Sequence, residues 1–451
     1  MKLVFLISFV FMFNSLDARD ELSLNPQRFK LNNGLDVIVI ENKRAPVIAQ
    51  MIWYNFGSGV EDNGKSGLAH FMEHLMFKGT KKFPESYYSN FISRIGGSEN
   101  AFTSYDYTAY YQVFPKSELK KIMEMEADRM INLTLTKENV KIEKKVILEE
   151  RFQRIESDPS SQLDESMKSI LFPNHYYGRP IIGWRHEIEK LDYSDVIEFY
   201  KKYYVPNNAT LILSGDIDLA TAKVYAKRYF GRNKKGTKII EERVLDPEFK
   251  TKVNVKLENP NVKQTIWKKF YRVKSYRDSI KDGLALDIGL KILSSGSSSL
   301  LYEELVNKKK IFSAIGGYYQ GLAKGSGLIY FYVIPNDEIE IEKINDIVQS
   351  EIQSIIKKGL NKKRFEIEKK KYLFDSIYEL DGILNPAQII GEAIKSGLKV
   401  EDVLDWNRVL KEISVADVQR ALEEFQNNKN YVIGELKKWG FFVLFLLLFF
   451  V

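Results

Sequence analysis

The stretch 66-SGLAHFMEHLMFKGT-80 decides how this chain of 451 residues is read. Of four histidines in all, His70 and His74 stand four residues apart, with Glu73 between them. On a helix, positions i, i+3 and i+4 share a face, so both imidazoles and the carboxylate converge on one point. That is the arrangement a metal-assisted hydrolysis needs: two neutral nitrogens to hold a divalent ion, and an acid beside it to take a proton from water. A catalytic zinc usually has three protein ligands, so a third donor must come from elsewhere. The stretch 142-IEKKVILEERFQRIESDP-159 offers candidates on a second helix. Glu143 and Glu150 lie two turns apart on one face, and Val146-Ile147-Leu148 seats that part of the helix against a core. Glu149 represents the plain alternative, a solvated acid on a charged helix.

Composition narrows the chemistry. There are no cysteines, which excludes disulfides, thiolate metal sites and cysteine nucleophiles; a metal must be held by His, Asp or Glu. The net charge of +7 is spread over interleaved Lys and Glu, so no nucleic-acid partner is expected. The length, with 44% hydrophobic and 28% charged residues, fits two globular domains.

Both termini are apolar. Residues 1–18, MKLVFLISFVFMFNSLDA, have the charged start, apolar run and small final residue of a secretory signal peptide. This predicts an exported protein, periplasmic or membrane-associated in a bacterium, or secreted; the rival reading is an uncleaved N-terminal anchor. Residues 437–451, KKWGFFVLFLLLFFV, form an apolar tail. As a helix its uncharged part reaches only about 20 Å against a hydrocarbon core of roughly 30 Å. Either terminus is a candidate for membrane association.

Between the termini the pattern predicts an α+β fold of two related domains, each a mostly antiparallel sheet with helices packed on one face. The domains are placed at 22–232 and 250–436, joined by a linker at 233–249, NKKGTKIIEERVLDPEF. The Asn-Asn-Gly turn at 32–34 predicts a hairpin. A Gly-Gly turn leads into one strand within GGSENAFTSYDYTAYYQVF, and helices are expected near 87–95, 116–133, 137–156 and 193–203, before a strand at 208–217. Thr136 is a candidate N-cap, and Ser157-Asp158-Pro159 a stop. The second half is read as a strand segment at 251–273, helices at 279–294 and 299–308, a strand pair around 311–334, helices at 339–358 and 361–378, and a last strand near NYVIGE. No clean internal repeat is visible.

His70-Phe71-Met72-Glu73-His74 with Glu150 resembles the inverted zinc-binding motif of the M16, or pitrilysin-like, metallopeptidases. The family includes mitochondrial processing peptidases and bacterial two-chain proteases. SGLAHFMEHLMFKGT, ENAFTSYDYTAYY and the span from HYYGRPIIGWRHEIEKL to YYVPNNATLILSGDID all resemble its first domain. The resemblance implies one Zn2+ per chain, ligated by His70, His74 and Glu150, with manganese or cobalt compatible with the same donors. It implies that Glu73 is the general base for a zinc-bound water, and that Glu143 orients a ligand histidine. Asn100, Ala101 and Phe102 then belong to an edge strand on which a peptide substrate adds as a further strand. His175 and His186 are left as structural or surface residues.

The pattern breaks in the second half. Self-sufficient family members contribute an Arg and a Tyr there, seven apart. Aligning LLYEELV puts Val306 and Ser313 at those places, or Phe312 if the alignment slips by one. This implies the metal-bearing subunit of a two-chain enzyme, whose zinc-free M16-like partner supplies Arg and Tyr around a closed chamber. A homodimer is the alternative, and a non-catalytic structural or peptide-binding subunit of a membrane-associated complex is the reading from another class.

Overall fold

The computed structural model describes residues 24–239 and 244–439. In the first half the chain runs β1 (Gln27–Lys30), β2 (Asp36–Glu41), β3 (Val47–Tyr54), α1 (Leu68–Leu75), α2 (Tyr87–Arg94), β4 (Ser98–Thr103) and β5 (Thr108–Pro115). It continues through α3 (Leu119–Asn132), α4 (Lys137–Arg151), α5 (Pro159–Leu171), α6 (Arg185–Ile188), α7 (Tyr193–Tyr203), β6 (Ala209–Gly215) and α8 (Leu219–Tyr229). The second half runs β7 (Val253–Asn259), β8 (Ile266–Val273), α9 (Ile280–Ser294), β9 (Phe312–Gln320), β10 (Gly327–Pro335), α10 (Ile341–Lys358) and α11 (Lys362–Glu379). It closes with α12 (Asn385–Lys395), α13 (Val400–Leu404), α14 (Trp406–Glu412), α15 (Val415–Gln426) and β11 (Tyr431–Lys438).

The two sheets repeat one topology. The first has the order β1-β2-β6-β3-β5-β4, and the second β7-β11-β8-β10-β9. Setting β1 aside, β2, β6, β3, β5 and β4 correspond to β7, β11, β8, β10 and β9. In each sheet the first of these pairs is parallel and the rest are antiparallel. Two α+β domains are therefore present, as the pattern of strands and helices predicts, and the repeat unseen in the sequence is plain in the strand order.

Each sheet has its own helices on one face, and a helix lent by the other half covers the opposite face. Leu163, Met167 and Leu171 of α5, an i, i+4, i+8 stripe, pack with Phe270, Val432 and Leu436 of the second sheet. In return Ala387 and Ile390 of α12 join Ile38, Met51, Trp53 and Ile212 of the first sheet. Glycine lets both helices sit close: a Cβ at Gly391 would overlap the Trp53 ring, and one at Gly434 would overlap Met167 Sδ. Each fully buried Leu or Met of this kind contributes about 2 kcal/mol.

Several local expectations hold. The turn at Asn32–Gly34 joins β1 to β2, with Gly34 at φ +91°. The Thr136 hydroxyl accepts from Asn139 N at 3.0 Å and caps α4. The expected single strand within GGSENAFTSYDYTAYYQVF is instead a hairpin, β4 and β5, because Ser104 N donates to Tyr107 O and turns the chain. Ser157-Asp158-Pro159 ends one helix and begins the next: Asp158 accepts from Ser160 N and Ser161 N at the start of α5. Helices α5, α6, α8 and α12–α15 are additions to the sequence reading.

Of the linker at 233–249, residues 240–243 lie outside the described residues, and the parts on either side are pinned. Buried Asn233 donates to Ala127 O, and Asp246 accepts from Asn174 N and His175 N. The signal peptide at 1–18 and residues 440–451 of the tail also lie outside the described residues. Lys437 and Lys438 end β11, so the stretch read as a tail starts within a strand. Among the described residues no helix is long and apolar enough to cross a membrane.

Candidate metal centre

Helix α1 starts from Gly67 at φ +88°, where a Cβ would collide with Ile182 O. The buried Glu61 carboxylate accepts from Gly67 N at 3.0 Å and Ala69 N at 2.8 Å. Those N–H groups have no partner within the helix, and the positive end of the helix suits an acid. Burial nevertheless pushes Glu61 up to about 8. Leu68, Ala69, Phe71, Met72 and Leu75 sink into the first core, leaving His70, Glu73 and His74 on the face towards a cavity.

Helix α4 lies across α1 and supplies the third donor. Donor atoms of His70, His74 and Glu150 all lie within 4.8 Å of one another, a convergence found once among the described residues. Glu150 Oε2 stands 3.3 Å from His74 Nε2 and 3.7 Å from His70 Nε2, while Glu150 Oε1 meets Arg154 at 2.9 Å. His74 Nδ1 lies 2.9 Å from Glu143 Oε1, and Lys78 Nζ lies 2.9 Å from Glu143 Oε2. Glu143 therefore fixes the ring of His74 with Nε2 turned to the donor cluster, and Lys78 holds Glu143 in place.

The electrostatics match a site prepared for a cation. Burial, helped by its neighbour His74, lowers His70 to about 4, so it is a neutral donor. Its Nδ1 is buried without a hydrogen-bond partner. For His74 burial works downward, but the bonds to Glu143 and Glu150 prevail and raise it to about 9. The same bond to His74 leads the lowering of both Glu150 and Glu143. A proton on His74 is thus what a divalent ion displaces, and two imidazoles with one carboxylate fit zinc. Burial raises Glu73, opposed by the Thr103 hydroxyl, which donates to Glu73 Oε2 at 2.5 Å.

The cavity beside this cluster measures about 1280 Å³. His70, Glu73, His74, Glu150, Asn100, Ala101 and Phe102 all line it, so the structure brings the sequence-derived set together, with Glu143 behind His74. Asn100, Ala101 and Phe102 lie on β4, which ends the sheet and, among the described residues, pairs only with β5. Strand alternation splits them: Ala101 packs with the α1 side, and Phe102 packs edge-on against Trp53 on the other. Glu149 also lines the cavity but is exposed, holding Gln153 at 2.8 Å. His175 is buried, with Nδ1 accepting from Tyr177 N, and His186 is exposed. Sequence reasoning missed Thr103, Lys78, Arg154 and Glu61; Arg154, four residues after Glu150, carried the one local signal.

Among the described residues the second half adds nothing to this cavity, whose lining comes from the first half. Val306 packs against the second core, Ser313 donates to Ile334 O, and Phe312 is buried in that core. Where α1 and its following turn end at Gly79, α9 ends at Ser294 and the chain turns at Gly296, both glycines at positive φ. Counting back from these glycines sets Asp287 and Lys291 at the places of His70 and His74. Counting from the capping residues Thr136 and Asn361 sets Asp375 at the place of Glu150. Asp287, Lys291 and Asp375 line a separate cavity of about 780 Å³.

Residues 37–184 match the insulinase family, peptidase family M16, and residues 190–372 match the peptidase M16 inactive domain. The chain belongs to family M16. It is 26% identical over 403 residues to the zinc protease PqqE of Helicobacter pylori, covering 88% of this chain and 89% of that one. A crystal structure of a protease from Helicobacter pylori superimposes with a TM-score of 0.85 at 26% identity, over 92% of this M16 chain and 99% of that one. The periplasmic protease PqqL of Escherichia coli shares the fold, with a TM-score of 0.75 and 18% identity; the chain covers 49% of it.

Proposed function

We propose that this M16 protein is a zinc-dependent endopeptidase that cleaves peptides or unfolded segments bound as an extended strand. The observation that carries this is the convergence of His70, His74 and Glu150 with Glu73 on the same helix, beside a free sheet edge. The name zinc protease borne by PqqE supports the same reading.

His70, His74 and Glu150 hold the ion, and Glu143 with Lys78 keeps His74 aligned. When bound, zinc lowers the pKa of a water and polarises a carbonyl. Glu73 takes the proton from the attacking water and returns it to the leaving amine. Its raised pKa suits that exchange, and Thr103 fixes the carboxylate towards the cavity. The peptide adds to β4 through main-chain hydrogen bonds, which tolerate many sequences.

The cavity is walled from one half only, and neither Val306 nor Ser313 offers the missing donors. We therefore read the chain as one half of a two-chain chamber. The partner is a zinc-free M16-like subunit that supplies Arg and Tyr, or a second copy. That the chain covers 49% of PqqL, a chain about twice as long, supports a pair of such halves. We read the N-terminal segment as an export signal and propose a periplasmic, membrane-associated or secreted enzyme.

The test is hydrolysis of a quenched fluorescent peptide library by the purified chain, with zinc analysis of the same sample and Glu73→Gln as control. Zinc with Glu73-dependent turnover supports the peptidase. Zinc without turnover, alone and with candidate partners, would favour a peptide-binding subunit.

A further inference from the structure

We infer that Asp106 is a positioning residue through which the second half sets the geometry of Glu73 and the substrate-binding edge; this rests on the peptidase reading above. Asp106 sits in the turn between β4 and β5, and it is 6% exposed. Its Oδ1 accepts from the Tyr176 hydroxyl at 2.9 Å. Its Oδ2 accepts from the Tyr177 hydroxyl at 2.5 Å and from Lys324 N at 3.1 Å. Gly325 N donates to the Tyr177 oxygen at 3.1 Å. Lys324 and Gly325 belong to the β9–β10 turn, so one buried carboxylate ties the tip of the first half's edge hairpin to a turn of the second half. Gly325 also lies against His175, where a Cβ would stand 2.7 Å from His175 Nε2.

Three residues before Asp106, Thr103 ends β4 and donates to Glu73 Oε2. The hairpin is also bonded to the segment leading into α1, through Ser58 N to Ser104 O and Gly59 N to Tyr105 O. A displacement of the tip therefore moves Thr103 and the strand bearing Asn100 and Ala101 together. A carboxylate satisfied from three directions resists that displacement. The half with no metal cluster among its described residues thus acts on the reaction through a fastened turn, with no side chain of its own in the metal-bearing cavity.

The test combines kinetics with hydrogen exchange. Asp106→Asn puts an amide among N–H and O–H donors, and Gly325→Ala loosens the same junction from the other half. Both variants are expected to keep their zinc and to lose about 10-fold or more in kcat, because misplacing a reacting group acts on turnover, with a smaller rise in KM from the displaced edge strand. Thr103→Val combined with Asp106→Asn is expected to fall clearly short of the product of the two single effects, since part of what Asp106 does reaches Glu73 through Thr103. Exchange is expected to quicken in residues 98–108 together with 321–326, while α1 peptides are unchanged. The inference is overturned if the effects of Thr103→Val and Asp106→Asn multiply, if only thermal stability falls, or if exchange quickens in 321–326 alone. A wild type without Glu73-dependent hydrolysis both alone and with candidate partner subunits would defeat the peptidase reading instead, and the exchange measurement would still decide the coupling.

Discussion

Helix α1 follows β3 in the first half and carries His70 and His74; helix α9 follows β8 in the second and carries Asp287 and Lys291. The strands around them have the same order, and both helices run out into a glycine at positive φ. A few side chains separate a convergent donor set from none. His70 is a neutral imidazole and His74 can give up its proton to an incoming divalent ion, whereas Lys291 brings an ammonium that cannot ligate one. Asp287 is engaged by other means, accepting from Tyr372 at 2.6 Å and Tyr276 at 3.3 Å, and burial pushes it up. The strand order repeats, and among the described residues only the first copy brings a His/His/Glu donor set together.

The sharpest way to break this comparison is to alter both copies. Glu73→Gln is expected to lower peptide hydrolysis by about 10²–10⁴-fold with zinc retained, the usual contribution of a general base. Asp287→Asn should leave turnover within about twofold of wild type, and a large loss there would mean that the second cavity takes part in the reaction.

Proton competition is the next largest effect. In the metal-free protein His74 is raised to about 9 and His70 lowered to about 4. Between those values one proton must leave for each ion bound, so apparent zinc affinity should rise about tenfold per pH unit and level off above pH 9. From pH 6 to pH 8 the gain is about 100-fold. Calorimetric titration in buffers of differing ionisation enthalpy reads the proton count, and a count near zero at pH 7 would contradict the bonding described for His74.

The lent helices come next. Gly391→Ala and Gly434→Ala overpack opposite seams and should each cost about 1–3 kcal/mol in denaturant unfolding. Gly391 should cost more, because it abuts the fully buried, rigid Trp53 ring, whereas Gly434 abuts the flexible Met167 with Leu163 beside it. Each half completes the other, so a single transition is expected; two transitions would show halves that fold alone. The smallest effect is a gain: Lys291→His should let Asp287 and Asp375 recruit a second divalent ion. It should bind roughly 10–100-fold more weakly than at the first site, because Asp287 is already engaged by the Tyr372 and Tyr276 hydroxyls.

The site was legible because its chemistry is periodic. His70 and His74 at i, i+4 and Glu143 and Glu150 at i, i+7 declare their shared faces without any fold. Thr103 was not legible, because its bond to Glu73 exists only once the Ser104–Tyr107 turn folds β4 back on β5. Leu163, Met167 and Leu171 form a readable stripe, yet the surface they cover belongs to strands about a hundred residues or more away. The internal repeat was hidden for a related reason. Its two copies share caps, glycines and strand order, which constrain few residues, while the side chains at equivalent places have diverged.

Zinc analysis of purified protein in three forms tests the central claim most directly. Wild type and Lys291→Ala should each carry one equivalent, and His74→Ala should carry none. Two equivalents in wild type, or one that survives His74→Ala and is lost in Lys291→Ala, would contradict the assignment of the metal to the first half.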